Sequence, residues 1–158
     1  MDRRILLGTQ LLLLAVAPAA WATGGKGMTW GKARHVTGVD ELGCGSCNAY
    51  VGDTACTTAL PILCIQKDGS PRPANFTPSS YTYEWAGGNI ATTLPVTGSL
   101  LTSLAAANQM CVTFFGAGWR MAEFHDGWGW GMSAFGNVRS DTRYWLHIND
   151  QPGNCWNP

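Results

Sequence analysis

CVTFFGAGWRMAEFHDGWGWG, residues Cys111 to Gly131, gathers a cysteine, three tryptophans, an arginine, two carboxylates and a histidine into 21 residues. The residues before it form the best helix pattern in the chain. Thr97 or Ser99 can cap that helix, and Leu100, Leu101, Leu104, Ala105 and Ala107 to Met110 give it an apolar face that delivers Cys111 at its last turn. Gly116 and Gly118 then turn the chain. From Trp119 to His125 the residues alternate as in a strand, with Trp119, Met121, Glu123 and His125 on one face. Residues 127–131 are too rich in glycine for a regular element, and Arg143 to Asn149 reads as a last strand before a turn and Cys155. A helix, a glycine-turned strand and a C-terminal strand thus form one unit.

Upstream, Leu60 to Ile65 has the character of a short buried strand, and Tyr81 to Trp85 alternates large aromatics as a half-buried strand does. Gly87 and Gly88 are expected to end that strand, with a further extended piece over Ile90 to Val96. Residues 23–43 hold Gly24, Gly25, Gly27 and Gly31 with little apolar periodicity, and are expected to form a flexible arm on which Trp30 alone can dock.

The chain opens with Arg3 and Arg4, a short apolar run and an Ala20-Trp21-Ala22 site, the pattern of a secretory signal peptide spanning residues 1–22. The apolar run is shorter than the roughly 18 residues a membrane span needs. No stable span is expected after cleavage, and no cysteine lies at the cleavage site to carry a lipid. The expected destination is secreted or periplasmic. Residues 23–158 are the size of one domain, with 44–158 as its disulfide-rich body. Once Arg3, Arg4 and Asp2 leave with the leader, eight basic residues face nine acidic ones. That balance offers no attraction to phosphate backbones, so nucleic acid is not an expected partner.

All six cysteines, Cys44, Cys47, Cys56, Cys64, Cys111 and Cys155, lie beyond the leader. In an oxidising compartment they read as disulfides. Spacing sorts them into a group of four (Cys44, Cys47, Cys56, Cys64) and a separate two. Cys44-Gly-Ser-Cys47 has the spacing of a dithiol redox motif, and the four together have the composition of a zinc site. Export ranks disulfides among the four above both, and neither a metal nor a cofactor is expected.

Two further clusters carry chemistry. Glu123, His125 and Asp126, joined across a strand pair by His147, are the residue types of an acid–base or metal site. The plainer reading is a hydrogen-bonded cluster that supports the glycine loop. Trp128 and Trp130, set between Gly127, Gly129 and Gly131, are either core or an exposed aromatic platform for sugar rings or apolar ligands. Of the two, Trp130 is the one expected to pack inward, with Trp128 beside His125 and Asp126 at the surface. Asn75-Phe-Thr77 is a glycosylation sequon wherever the source modifies such sites.

The sequence resembles the C-type lectin-like fold over about residues 81–158. A helix leading to Ala107 and Cys111, then Gly116, Gly118-Trp119-Arg120, then Trp145 and a terminal Cys155 carry the likeness, and bacterial members similarly start a strand with Gly-Trp-Arg after the helix. The resemblance implies that Cys111 pairs with Cys155. It does not imply calcium-dependent sugar binding, because Gln151-Pro152-Gly153 and Ile148-Asn149-Asp150 only echo that fold's calcium motifs.

The expectation is therefore an exported α+β domain with one main helix, a small twisted antiparallel sheet and three disulfides. Its leading function is recognition of a glycan or a protein, at a cell surface or in the envelope, through Trp128, Trp130, His125 and Asp126. The alternatives are a small secreted enzyme, such as a hydrolase, using Glu123, His125 and Asp126, and a purely structural envelope protein.

Overall fold

The structure is a computed structural model, and it describes residues 24–157. The leader expected over residues 1–22 lies outside that range. In chain order the elements are β1 (Lys26–Gly27), β2 (Thr29–Val36), β3 (Val39–Gly43), β4 (Thr54–Ala55), β5 (Ala59–Leu60), β6 (Leu63–Gln66), β7 (Trp85–Thr92) and β8 (Val96–Thr97). A 3₁₀ turn at Gly98–Leu100 leads to the helix α1 (Leu104–Phe115), followed by β9 (Arg120–Met121), β10 (Gly131–Phe135) and β11 (Arg143–Trp145). Seven strands form one sheet in the order β11-β2-β3-β10-β7-β6-β9, antiparallel except where β10 runs parallel to β7. Two small ribbons, β1 with β4 and β5 with β8, complete an α+β fold with a single α-helix among the described residues.

Of the arm expected over residues 23–43, the described part, residues 24–43, is not an arm. They supply two inner strands of the sheet, and Met28 and Trp30 are fully buried. Thr37 and Gly38 both take positive φ (51° and 78°). That is the backbone of a tight two-residue hairpin turn, and it sets Val36 opposite Val39. With β3 covered on both faces, its carboxylates need partners inside. Asp40 receives Lys32 Nζ at 2.7 Å, His35 Nδ1 at 2.6 Å and the Val138 amide at 2.6 Å. Glu41 receives Arg34 through Nε at 3.0 Å and Nη2 at 2.8 Å, and the Ser79 amide at 2.7 Å. Through Ser79 the second pair ties the long connection between β6 and β7 onto the sheet.

The helix starts later than its leucine pattern suggests. Ser103 takes the cap, its side chain accepting from the Ala106 amide at 3.1 Å, while Thr97 makes no side-chain cap bond to the 3₁₀ turn that follows it. The helix buries Ala107 and Cys111, one turn apart, against a cluster holding Ile62, Leu101, Met121 and Trp145. A second cluster, with Met28, Trp30, Leu42, Leu63, Ile65, Met132, Tyr144 and Ile148, fills the body of the sheet. The regular strand expected over Trp119 to His125 is confined to Arg120–Met121 plus one parallel bridge between Glu123 and His147. Gly87 and Gly88 lie within β7 instead of ending it, and Gly131 opens a central strand.

Three disulfides close the fold: Cys44–Cys47, Cys56–Cys155 and Cys64–Cys111. The expected Cys111–Cys155 bond is not formed, and Cys56 and Cys64 are not paired within the N-terminal four. Cys111 meets Cys64 because α1 packs over β6 and β9. Cys155 meets Cys56 because the C-terminal segment returns to the N-terminal edge, where the Met28 amide donates to Gly153 O at 2.8 Å. Among the described residues no helix is long and apolar enough to cross a membrane.

Candidate functional site

The turn Glu123–Asp126 organises the surface around it. The Glu123 amide donates to Asp126 Oδ2 at 2.7 Å and the Asp126 amide returns to Glu123 O at 3.0 Å. Asp126 is buried, and its carboxylate is gripped from the other side by both Nη atoms of Arg120, with Lys67 Nζ at 3.5 Å. Glu123 accepts from the His125 amide at 2.6 Å, from His125 Nδ1 at 2.9 Å and from the Asn149 amide at 3.4 Å. Both carboxylates are therefore committed to holding the turn in place.

Two clefts flank this turn. The first, about 250 Å³, is lined by Ala49, Tyr50, Phe124, His125, Trp130, Ile148, Asp150 and Gln151. Its walls are aromatic. The Trp130 ring stands edge-on to Phe124 (centroids 5.1 Å apart, 77°) and to Tyr50 (6.4 Å, 61°). Phe124 is buried, but Tyr50 is 58% exposed and Trp130 45%. Trp130 holds this position in a left-handed backbone conformation, φ 65°, which a non-glycine residue rarely adopts. Glycine makes the loop possible at Gly127, where a Cβ would sit 2.6 Å from Gly131 O. The polar rim of the cleft consists of His125, Asp150 and Gln151, with His125 Nε2 3.9 Å from Asp150 Oδ2.

The second cleft, about 290 Å³, lies between the start of α1 and the turn, and is lined by Leu104, Asn108, Arg120, Glu123, Asp126, His147 and Asn149. His147 is held by its backbone, donating to Ala122 O at 3.0 Å and accepting from the Phe124 amide at 2.9 Å. Burial pushes its imidazole below its ordinary pKa; Glu123 and Asp126 pull the other way, and Arg120 adds to the lowering.

The residues expected at the site are thus divided. Trp130 and His125 share the aromatic cleft; Asp126 faces the polar one; Trp128 is 70% exposed and belongs to neither. Trp130 is at the surface where burial was expected. Glu123 and His147 are brought together as the strand-pair reading required. Tyr50, Asp150 and Gln151 were missed, because a lone tyrosine after Cys47 and a polar tail carry no spacing signal; only the fold brings them to Trp130. Among the described residues no three of His, Cys, Asp or Glu stand where they could hold a metal ion together. Comparison with protein-family models, curated proteins and solved structures finds no match for this chain.

Proposed function

We propose that this chain is an exported recognition module that binds a glycan through the Tyr50–Trp130 cleft. One observation carries the reading: two exposed aromatic rings stand over a concave surface whose rim holds a carboxylate, an amide and an imidazole. Aromatic faces pack on the C–H faces of a sugar ring, and the polar rim meets its hydroxyls. A cleft this small suits a terminal sugar better than the broad surface of a folded protein. Secretion or a periplasmic location accompanies the proposal, supported by the leader pattern and three disulfides. Kinship with C-type lectin-like proteins is part of the same proposal. It stands without the Cys111–Cys155 bond it implied, so the cleft and not the kinship carries the function.

The enzyme reading is weaker on physical grounds. Glu123 and Asp126 are each engaged by several N–H donors of the chain, so their oxygens are occupied in holding the turn and not presented to a substrate. The test is a glycan array probed with the disulfide-intact protein, followed by calorimetric titration of any hit. Trp130→Ala and Tyr50→Ala should each weaken binding by about tenfold or more, as loss of a stacking partner does. Binding that survives both changes, or an array with no hit, would exclude this cleft as the glycan site.

A further inference from the structure

His147 is the most unusual side chain of the polar cleft. It is 6% exposed, yet its imidazole forms no hydrogen bond with any described residue, and it lines the cleft. The sealed, unpartnered side-chain atoms among the described residues are Trp30 Nε1 and Tyr144 Oη; the His147 ring nitrogens are not among them, so they are open to the cleft and free to bond what enters it. The backbone on both sides is pinned, so the ring is presented by the fold and not by a mobile loop.

The neighbours define what that partner is. The charges around the cleft are already compensated within the protein: Arg120 and Lys67 by Asp126, and Glu123 by N–H donors from His125 and Asn149. Two positive side chains and two negative ones leave no net charge for an ion. What remains on offer is uncharged. A neutral imidazole brings one donor and one acceptor; the Asn108 amide brings its N–H₂ group, because its oxygen is taken by the Met121 amide at 2.9 Å; Asn149 brings a side-chain amide at the exposed rim. Leu104 adds one apolar wall.

We propose that this cleft is a second binding site, for a neutral hydroxylated ligand the size of a single sugar ring, with His147 as its anchoring side chain. Alternating uncharged donors and acceptors beside an apolar wall match ring hydroxyls and C–H groups, and a volume of about 290 Å³ takes one ring and not a chain. The site uses none of the aromatic walls of the other cleft, so it stands or falls independently of the Tyr50–Trp130 reading.

The test is NMR titration of the isotopically labelled, disulfide-intact protein. The probes are glucose, galactose, mannose and N-acetylglucosamine, with glucuronic acid and glucosamine as charged counterparts, each taken to about 10 mM, where weak sugar sites are visible. The expected result is a saturable shift of the Asn108 and Asn149 side-chain amides with at least one neutral sugar, unchanged in Trp130→Ala. His147→Leu should weaken that binding by about tenfold, the loss of a hydrogen-bonding anchor, while His147→Gln, which keeps an uncharged donor and acceptor, retains most of it. If His147→Leu does not fold, Asn149→Ala at the exposed rim serves instead and should weaken binding several-fold. The proposal is overturned by no saturable shift from any neutral sugar, by response to the charged sugars alone, by undiminished binding in the folded variant, or by loss of the shifts in Trp130→Ala.

Discussion

The amide of Cys44 donates to the carbonyl of Trp130 at 2.9 Å, so the CxxC loop and the glycine–tryptophan loop are built against each other. Tyr50 lies six residues beyond Cys44 and meets Trp130 edge-on. The Cys44–Cys47 disulfide therefore belongs to the aromatic cleft as much as to the fold. Replacing both cysteines by serine opens a very short loop, and the chain-entropy model puts its worth at about 2 kcal/mol. The expected outcome is a modest fall in melting temperature together with a clear loss of order at Tyr50, read from its amide hydrogen exchange. Exchange at Tyr50 that stays at the wild-type rate would show that the disulfide does not hold this wall of the cleft.

The other two disulfides should matter more. Cys56–Cys155 spans 99 residues and Cys64–Cys111 spans 47. In the same model they contribute about 4.7 and about 4 kcal/mol. Paired Cys→Ser variants should therefore lose stability in the order 56/155, then 64/111, then 44/47, measured by denaturant unfolding. A 44/47 variant that proved the least stable would contradict that order.

How much of this was legible in the sequence follows from which signals are local. The helix was, because Ala107 and Cys111 lie one turn apart on its buried face; its start was displaced because Ser103 and not Thr97 found an amide to cap. The buried run ending at Ile65 was legible too, as part of β6. The N-terminal strands were not, because glycine there reports close packing and not looseness. A Cβ at Gly27 would lie 2.7 Å from Cys155 Sγ, which is 128 residues away in sequence. Gly88 misled for the same reason: a Cβ there would stand 2.0 Å from the Gln66 carbonyl of the neighbouring strand. Disulfide partners were hidden because proximity in sequence says nothing about which cysteines a helix and a returning tail bring together. At the site, His125 and Trp130 carried a local signal, while Tyr50 and Asp150 reach it only through the fold.

Acid should destabilise the fold in two separate steps. His147 has its folded pKa below its ordinary 6.5. The unfolded chain therefore takes up a proton first as the pH falls below 6.5, and stability declines from there down to the folded value. Glu41 shows the second effect. Burial pushes its carboxyl up, but the hydrogen bonds from Arg34 and Ser79 outweigh that and hold it below its ordinary 4.5. Its contribution is complete above pH 4.5 and is lost as the pH falls through the lowered folded value. Melting temperatures taken across this range should show both declines, and His147→Gln should remove the first while keeping the second. A His147→Gln profile that still falls between pH 6.5 and 5 would assign the first step to another group.

Trp130 combines an exposed ring with a strained backbone, and the two can be separated by substitution. Its φ of 65° costs a non-glycine residue about 1 kcal/mol or more relative to glycine. Its ring is about half exposed, so truncation should cost less than the 3–5 kcal/mol typical of a buried tryptophan. Trp130→Gly loses the ring but relieves the backbone, whereas Trp130→Ala loses the ring and keeps the strain. The glycine variant should therefore be more stable than the alanine variant by about 1 kcal/mol, although both lose the aromatic wall. Trp128→Ala should change stability by no more than about 0.5 kcal/mol, because its ring is 70% exposed. Denaturant unfolding of the three variants gives the stabilities, and glycan titration gives the binding. If tryptophan served packing alone at 130, both replacements would melt far below the wild type, with glycine still above alanine but well short of the wild type. Recovery of stability without recovery of binding would mean instead that the strain at residue 130 is retained for what its ring contacts.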